Sequence, residues 1–298
     1  MNSKIQNNPL VSVSVITYNS SETVIDTLES VKAQTYPNIE LIISDDGSQD
    51  NTVELCQEWI KQNRERFVRV EMLTVEKNTG VAGNLNRAEA ICRGEWVKGI
   101  AGDDILLPNC VQDCMDYVTE HSDTIYLFGR CKTFGTDEER CGQIDQMFDY
   151  TFFKQNKEEQ LHRLIMEGNC LPATTLFYHR ERAATLGVNN DERIPFIEDW
   201  PKWINLLKEG VRFGFVDKVI VKYRVSETSL STGNKKPKAF DESMAVFYQL
   251  YIYPYEYEHG SKKIAVENWL RAQNTIKQKW YWYAIFKLYK IIVMHKVH

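Results

Sequence analysis

The apolar and polar positions of the first 104 residues follow a repeated strand and helix pattern. Residues 10–17 form a short β-branched run, which predicts a buried strand. After Ser20 and Ser21, apolar side chains recur at helical spacing, and Pro37 stops the pattern. The same alternation predicts further strands at 40–44, 67–75 and 96–100 and helices at 51–63 and 83–93.

This order of elements, with short loops, predicts an α/β fold in which a mixed, mostly parallel sheet carries helices on both faces. In such sheets, ligands bind beyond the carboxyl ends of the strands. Polar clusters follow three of the predicted strands: Thr17-Tyr18-Asn19, Asp45-Asp46-Gly47-Ser48 and Gly102-Asp103-Asp104. We therefore expect these clusters to meet at one edge of the sheet.

Beyond residue 110 the pattern is less regular. It predicts strands at 124–134 and 211–223, a charged loop at 136–142 and helices at 156–166 and 200–208. The polar segment 226–238 is typical of a mobile loop or a linker. We expect one domain over residues 1–230, with halves at about 10–110 and 111–230, and then a linker and a helical extension over 231–298.

The composition is that of a globular protein. Of 298 residues, 43% are hydrophobic and 26% are charged, which excludes disordered and collagen-like chains. The formal net charge of −5 gives no reason to expect a nucleic-acid partner. Residues 268–298 contain six Lys or Arg and no Asp or Glu, so this tail carries +6 and the preceding residues carry −11.

The sequence shows neither a membrane span nor a secretion signal. No run approaches the roughly 18 to 20 apolar residues that cross a bilayer, and residues 1–9 lack the apolar core of a secretory signal. The seven cysteines contain no Cys-x-x-Cys pair. We therefore expect reduced thiols, mostly packing residues, in a cytosolic protein.

Asp103 and Asp104 are adjacent carboxylates directly after an apolar strand. They repel each other unless a cation compensates their charge, and oxygen ligands of this kind suit Mg²⁺ or Mn²⁺ together with water and substrate phosphates. A turn with a helix cap is the alternative for this pair, and it is equally typical of Asp45 and Asp46 in isolation. Three polar turns converging on one cleft favour a nucleotide-diphosphate site.

Four motifs in order resemble the family 2 glycosyltransferases, which have the GT-A fold. The motifs are Val13-Ser14-Val15-Ile16-Thr17-Tyr18-Asn19, Ile42-Ile43-Ser44-Asp45-Asp46-Gly47-Ser48-Gln49-Asp50, Asn78-Thr79-Gly80-Val81 with Asn86, and Gly102-Asp103-Asp104. The resemblance covers about residues 10–230. It implies an inverting, metal-dependent sugar transferase whose first half binds the nucleotide sugar and whose second half binds the acceptor.

The resemblance also implies which residues bind the donor. Thr17, Tyr18 and Asn19 would line the nucleotide pocket, and Asp45 would accept a hydrogen bond from the uracil edge. Four further residues match positions that bind the nucleotide in the family: Asp46, Asn78, Gly80 and Asn86.

The chain departs from the family pattern at two positions near these motifs. Asp103 and Asp104 match the end of the family's Asp-x-Asp-type motif, which contacts the ribose and holds the metal. Ala101 stands where many members have the first aspartate, so either Asp103 or Asp104 is the direct metal ligand. Leu85 stands where many members have arginine, and Arg87 follows two positions later.

Glu198 and Asp199 resemble the Glu-Asp pair that begins a helix in the acceptor half of these enzymes. An inverting transferase needs a carboxylate that removes the proton of the acceptor hydroxyl. The resemblance makes Asp199 that base, and Glu198 a neighbour that raises its pKa or binds the acceptor. The alternative is that both are first-turn acids that stabilise a helix N-terminus.

Arg224 lies in a segment, Tyr223-Arg224-Val225-Ser226, that resembles the place where family members set a basic residue against the diphosphate. It would stabilise the charge of the departing UDP. The alternative is a surface arginine on an edge strand. Some relatives have His where this chain has Ser226, so a His-assisted metal site is not expected.

The basic tail concentrates aromatic residues and lysines. Lys279, Lys287 and Lys290 share one helical face within an arc of roughly 80°, and most other positions are aromatic or aliphatic. Such a helix suits the headgroups of an anionic inner leaflet. The alternative is a C-terminal helix packed on the domain with its lysines exposed, and the two are compatible.

These inferences combine into one functional hypothesis. We expect a transferase that uses a UDP-hexose or UDP-N-acetylhexosamine, with Mn²⁺ or Mg²⁺, and acts on a glycan that grows on a lipid diphosphate in O-antigen or capsule synthesis. It would be cytoplasmic and peripheral at the inner face of the cell membrane. The alternatives are a sugar-nucleotide nucleotidyltransferase and a catalytically silent nucleotide-binding assembly subunit.

Overall fold

The computed structural model describes residues 8–226 and 238–259, together with residues 266, 268 and 269. Eight strands within this part of the chain form one sheet: β1 (Val11–Thr17), β2 (Ile39–Asp45), β3 (Arg69–Thr74), β4 (Trp96–Ala101), β5 (Ile105–Leu106), β6 (Tyr126–Gly135), β7 (Phe177–His179) and β8 (Phe213–Val225). Their order across the sheet is β3-β2-β1-β4-β7-β6-β8-β5.

Ten α-helices are present in the same described residues. They are α1 (Val24–Lys32), α2 (Thr52–Asn63), α3 (Gly80–Ile91), α4 (Cys110–Glu120), α5 (Glu138–Met147), α6 (Lys157–Met166), α7 (Arg180–Thr185), α8 (Asp199–Lys208), α9 (Lys238–Phe247) and α10 (Tyr253–His259). A π-helical turn at Tyr248–Ile252 connects α9 to α10. No helix among these residues is long and apolar enough to span a bilayer.

The first four strands are parallel, and their register sets the position of the polar turns. β1 lies between β2 and β4, with Thr17 opposite Asp45 and Ile16 opposite Ala101. The carboxyl ends of these three strands therefore lie side by side. The second half of the sheet is mixed, because β7 runs antiparallel to both β4 and β6 while β8 runs parallel to β6.

Hydrophobic side chains leave the sheet on both faces. Val11, Val13 and Val15 of β1 pack with α1, α2 and α4 in one core cluster. Ile42 and Val97 point the other way, into a second cluster that includes residues of α3, α6, α8 and α9. Alternation of side chains along a strand produces this division, and the predicted helices on both faces are confirmed.

Two helices of the second half differ from the sequence prediction. The segment 136–142, predicted as a charged loop, contains the start of α5, which the Asp137 carboxylate caps by accepting from the Arg140 amide at 2.9 Å. Only Cys141 and Ile144 of α5 are buried, so its apolar periodicity is weak. Helix α4 was not predicted, and two of its core positions are Cys110 and Cys114.

All seven cysteines are free and buried, as expected for packing thiols. The predicted linker, apart from residues 226 and 238, lies outside the described residues. So does the tail, apart from residues 268 and 269.

Candidate active site

The three polar turns meet at the carboxyl edge of β1, β2 and β4, as the sequence predicts. The hydroxyl of Thr17 donates to Oδ2 of Asp45 at 2.9 Å, and the amide of Asn19 donates to Oγ of Ser48 at 2.8 Å. The amide of Gly102 donates to the carbonyl of Ile16 at 2.9 Å. Hydrogen bonds thus connect the end of β1 to both neighbouring turns.

The residues after Thr17 project outward from this edge. Asn19 has a φ of 50°, a left-handed conformation that asparagine tolerates better than most residues. Its side-chain oxygen accepts from the Gln49 amide at 2.8 Å, which holds the first turn against the second. Tyr18 is 47% exposed, so an aromatic face is open to solvent next to the turns.

Asp45, predicted to accept a hydrogen bond from uracil, accepts from four donors of the protein. It is 0% exposed; Oδ1 accepts from the amides of Gly47 and Ser48 at 3.1 and 2.9 Å, and Oδ2 accepts from the hydroxyls of Thr17 and Ser48. A carboxylate has about four acceptor positions, and all four are filled. Asp45 therefore fixes the turn, and a contact to uracil would require one of these donors to leave.

Asp46 connects the second turn to α3. Its carboxylate accepts from the amides of Thr79 and Gly80, each at 2.9 Å, and from the Thr79 hydroxyl at 2.6 Å. Arg87, one to two turns into α3, completes the set with an ion pair at 2.9 Å. Asp46 thus binds the N-terminus of α3 and is itself 2% exposed.

Asn78 and Asn86, both predicted to bind nucleotide, have hydrogen-bond partners within the protein. Asn78 accepts from the Gly80 amide at 2.9 Å and so caps the start of α3. Asn86 donates to the carbonyl of Asn190 at 3.1 Å and to Glu192 at 2.9 Å, which places it against a loop of the second half. The asparagine of α3 that contacts β1 is Asn84, which donates to the Thr17 carbonyl at 3.2 Å.

Asp104 is enclosed. It is 1% exposed, and its two carboxylate oxygens accept from the Arg224 amide at 2.8 Å and from the Thr174 hydroxyl at 2.7 Å. Burial and the neighbouring charge of Asp103 raise the pKa of Asp104 to about 8. Asp104 therefore connects its own turn to β8 and to Thr174, and it has no exposed oxygen for a ligand.

Asp103 is partly exposed whereas Asp104 is buried, so Asp103 is the more accessible residue of the pair. Burial raises its pKa, and the charge of Arg224 partly offsets this effect. A partly exposed carboxyl of this kind could contribute one ligand to a divalent cation. No cluster of three or more His, Cys, Asp or Glu able to hold a metal occurs in the described residues, so phosphate and water would supply most ligands.

Arg224 lies beside the acidic turn. Its Nε donates to the carbonyl of Asp103 at 2.7 Å, its Nη2 pairs with Asp26 at 3.1 Å, and its guanidinium lies 4.6 Å from the centre of the Phe134 ring. The side chain is 22% exposed. A positive charge is thus fixed next to Asp103, and the predicted contact of Arg224 with a diphosphate stays a prediction.

The second acidic pair, Glu198 and Asp199, is at the start of α8. The Asp199 carboxylate accepts from the Trp200 amide and from Nδ2 of Asn169, each at 2.7 Å. The Glu198 side chain caps no helix amide. Burial raises the pKa of both, and burial together with the charge of Asp199 raises that of Glu198 to about 8. Asp199 thus accepts from one amide of the first turn of α8, Glu198 from none, and the two carboxyls are adjacent in the chain.

Residues 169–175, which we call the bridging segment, contact both acidic pairs. Asn169 donates to Asp199, and Thr174 donates to Asp104. The two residues are five positions apart, so their Cα atoms lie within about 18 Å of each other. The buried ammonium of Lys98 donates to the Thr174 carbonyl at 2.6 Å and fixes one end of the segment to β4.

The bridging segment carries no sequence signal of its own. Asn169 and Thr174 are ordinary loop residues in an irregular region, and Lys98 interrupts an apolar strand without a marked partner.

Two cavities, of about 500 and 410 Å³, lie away from both acidic pairs: one beside the end of α8, the other at the β3 edge.

Three comparisons place this geometry among known proteins. The model of Glycosyl transferase family 2 matches residues 12–180. The Escherichia coli protein "UDP-Glc:alpha-D-GlcNAc-diphosphoundecaprenol beta-1,3-glucosyltransferase WfaP" is 28% identical over 231 residues, covering 76% of this chain and 82% of its own length. The structure of S. aureus TarS 1-349 in complex with UDP-GlcNAc is similar with a TM-score of 0.65 at 18% identity, covering 90% of this chain and 81% of the TarS 1-349 chain.

A second solved structure is similar over most of the chain. Mannosyltransferase PcManGT from Pyrobaculum calidifontis, in complex with GDP-Man and Mn²⁺, gives a TM-score of 0.58 at 15% identity and covers 91% of this chain and 70% of its own. These likenesses confirm the expected GT-A-like α/β fold, with a mixed sheet, helices on both faces and helices after the last strand.

Proposed function

Because the chain belongs to glycosyl transferase family 2, we propose that it moves a hexose or N-acetylhexosamine from a UDP-sugar to a glycan acceptor, with inversion at the sugar carbon. The acceptor is a glycan on a lipid diphosphate, and the product is a bacterial surface polysaccharide. The observation that carries the proposal is the convergence of three polar turns at the carboxyl edge of β1, β2 and β4, with Asp103 accessible and Arg224 beside it.

The donor half binds the nucleotide at these turns. Thr17, Tyr18 and Asn19 border the nucleoside, with the exposed Tyr18 ring available to stack on a base. Asp103 would hold a divalent cation, which when bound neutralises charge on the diphosphate. Arg224 stabilises the negative charge that develops on UDP as it leaves, and Asp104 orients the turn through its bonds to Thr174 and to the Arg224 amide.

The acceptor half activates the attacking hydroxyl. Asp199, ionised, takes the hydroxyl proton while the acceptor oxygen bonds to the sugar carbon and the bond to the UDP oxygen breaks on the opposite face. Glu198, whose pKa of about 8 keeps it protonated at neutral pH, adds no second negative charge and is free to donate to the acceptor. WfaP is named for a diphosphoundecaprenol acceptor, which supports the lipid-linked class proposed here.

The decisive experiment supplies purified protein with a panel of UDP-sugars, Mn²⁺ and a synthetic lipid-diphosphate monosaccharide, and measures product mass. We expect transfer from one donor, and loss of transfer in Asp199→Asn with UDP affinity retained. Asp116→Asn, an exposed aspartate of α4, is the matched control and should remain active.

Two results would contradict the proposal. Sugar-nucleotide formation from a sugar phosphate and UTP would indicate a nucleotidyltransferase. UDP binding without transfer, and without slow hydrolysis of any UDP-sugar, would indicate a silent binding subunit.

We further propose that the basic tail holds the enzyme at the inner face of the cell membrane. The support is the charge of +6 over residues 268–298 and their aromatic content. Co-sedimentation with vesicles that contain phosphatidylglycerol should recover the full chain and should recover less of a chain that ends at residue 267. Equal recovery of the two would refute docking through the tail.

A further inference from the structure

We propose that Asn169 is a positioning residue for the base: its amide holds Asp199 in one orientation and keeps that carboxyl in its ionised form. This inference rests on the proposed role of Asp199, and no motif in the sequence points to it. It adds a residue from the bridging segment to the acceptor half of the site.

The orientation of the Asn169 amide is fixed by its second partner. Its Oδ1 accepts from the amide of Leu171 at 3.1 Å, within the same turn. An amide group whose oxygen is so occupied presents its nitrogen in the other direction, and Nδ2 donates to Oδ2 of Asp199 at 2.7 Å. Asn169 therefore acts as a donor to this carboxylate and not as an acceptor.

A fixed donor stabilises the charged carboxylate and opposes its protonation. The Trp200 amide supplies the other donor, to Oδ1 at 2.7 Å, so each oxygen of Asp199 has one described donor and a remaining lone pair. One lone pair is what a general base needs in order to receive a proton.

Few charged groups face Asp199 in the described contacts. Glu198 precedes it in the chain, and Lys202 lies one turn further along α8 and acts on Glu198. From α6, which packs against α8, the Leu164 carbonyl accepts from the Trp200 indole at 2.8 Å. Burial raises the pKa of Asp199, and the hydrogen bond from Asn169 lowers it. Because Asn169 is neutral, it does so without forming an ion pair with the base.

The bridging segment gives this contact its rigidity. Leu171 is buried, and the Asp149 amide donates to the carbonyl of Cys170 at 3.4 Å. At the other end Thr174 is fixed by Asp104 and Lys98. The position of the base is thereby tied to the turn that carries Asp103.

The first test measures the carboxyl directly and needs no activity. Protein with ¹³C-labelled aspartate side chains is titrated by NMR, and the Asp199 signal is assigned by its absence in Asp199→Asn. We expect the midpoint of Asp199 to rise by about one pH unit in Asn169→Ala. In the isosteric Asn169→Asp it should rise further, because two carboxyls at this distance cannot both ionise. An unchanged midpoint in both variants would overturn the proposal.

The second test measures the pH profile of UDP-sugar turnover, with the acceptor or with water. The acid limb of kcat should move upward by about one pH unit in Asn169→Ala, with activity recovering at higher pH and UDP affinity unchanged. Asn205→Ala, a partly buried asparagine of α8 that donates to Tyr251 at 3.3 Å, is the control and should keep the wild-type limb.

The two tests separate the possible failures. A uniform loss of activity at every pH in Asn169→Ala, with a wild-type midpoint, would assign Asn169 a purely structural role and overturn the inference. Absence of turnover in the wild type, with a shifted midpoint in Asn169→Ala, would refute the proposed function and leave the tuning of Asp199 by Asn169 intact.

Discussion

At the scale of single residues, chemically identical side chains have different roles because their surroundings differ. Asp45 has all four acceptor positions filled and fixes a turn. Asp46 binds a helix N-terminus and an arginine. Asp104 is enclosed by two donors, whereas Asp103 remains accessible. Burial and the number of donors decide which aspartate can meet a ligand.

Glu198 provides a prediction about stability and pH. Its pKa is about 8 in the folded protein and about 4.3 in an unfolded chain. The folded state therefore binds the proton more tightly, and the free energy of unfolding falls as pH rises from about 4 to about 8. Glu198→Gln removes the contribution of Glu198 to this dependence and should be more stable than the wild type at pH 8 by about 1–2 kcal/mol.

Urea unfolding at pH 4.5 and pH 8 measures this difference. The advantage of Glu198→Gln should be small at the lower pH and largest at the higher one. Glu158→Gln, at an exposed site on α6, serves as the control and should show no such trend. An advantage for Glu198→Gln that is equal at both pH values would contradict the prediction.

Arg87 provides a second residue-scale prediction. Its partner Asp46 has a side chain that is only 3% exposed, and removal of one member of a buried pair leaves an uncompensated charge. Asp46 keeps three other donors, so we expect Arg87→Met to lower the free energy of unfolding by about 2–3 kcal/mol.

The matched control for Arg87 is Lys61→Met. Lys61 pairs with Glu58, and both side chains are more than half exposed, so the change should cost less than about 1 kcal/mol. Chemical denaturation of the two variants at pH 7 makes the comparison. Equal losses would show that the Arg87–Asp46 pair is no more than a surface contact.

At the scale of elements, hydrophobic periodicity predicted the segments that bury a face and failed for those that do not. β1, β2 and α1 bury most of their apolar positions, and the hydrophobic pattern of each predicted its type of element. Helix α5 buries two residues, and its first half was predicted as part of a loop. The short strand β7 pairs with β4 over three residues, too few for a period to be recognised.

The start of α3 provides the element-scale prediction. Gly80 has a φ of +83°, and a Cβ there would lie 2.7 Å from Cβ and 2.9 Å from the carbonyl oxygen of Pro195. Gly80→Ala combines left-handed strain with a clash against backbone, so we expect a loss of about 2–4 kcal/mol. Gly187 has a φ of +65° with open space around it, so Gly187→Ala should cost only about 1 kcal/mol.

Thermal unfolding of these two variants separates the strain from the clash. The larger fall in Tm should belong to Gly80→Ala. If the two variants lose the same stability, Pro195 moves away from the added Cβ without a measurable loss of free energy, and the clash prediction is wrong.

At the scale of the whole molecule, one sheet joins two halves whose contacts cross large sequence distances. Asn86 bonds to Asn190, Thr174 to Asp104, and the Arg224 amide to Asp104. Each contact brings a residue of the second half to the first half, at helix α3 or at the turn that carries Asp104. The candidate site therefore exists only when both halves are folded, and ligand binding should stabilise the whole chain.

Ligand-dependent stability is the whole-molecule prediction. UDP with Mn²⁺ at about 100 times its dissociation constant should raise the free energy of unfolding by about 2.7 kcal/mol, which corresponds to a rise in Tm of about 4 °C for a chain of 298 residues. Chelation with EDTA and the variant Asp103→Ala should each remove most of this shift. Asp123→Ala, an exposed aspartate between α4 and β6, should retain it. An equal shift with and without metal would refute the assignment of a cation to Asp103.

The sequence by itself determined the fold class, the order of the first strands and helices, and the gathering of three polar turns at one sheet edge. These follow from local periodicity and from the fact that parallel strands end together. The tertiary structure decided which aspartate is open, that Asp45 is fully bonded, and that Asn169 and Thr174 connect the two acidic pairs. Such roles depend on which donor reaches which oxygen across as many as 120 positions of chain, and no local pattern encodes that.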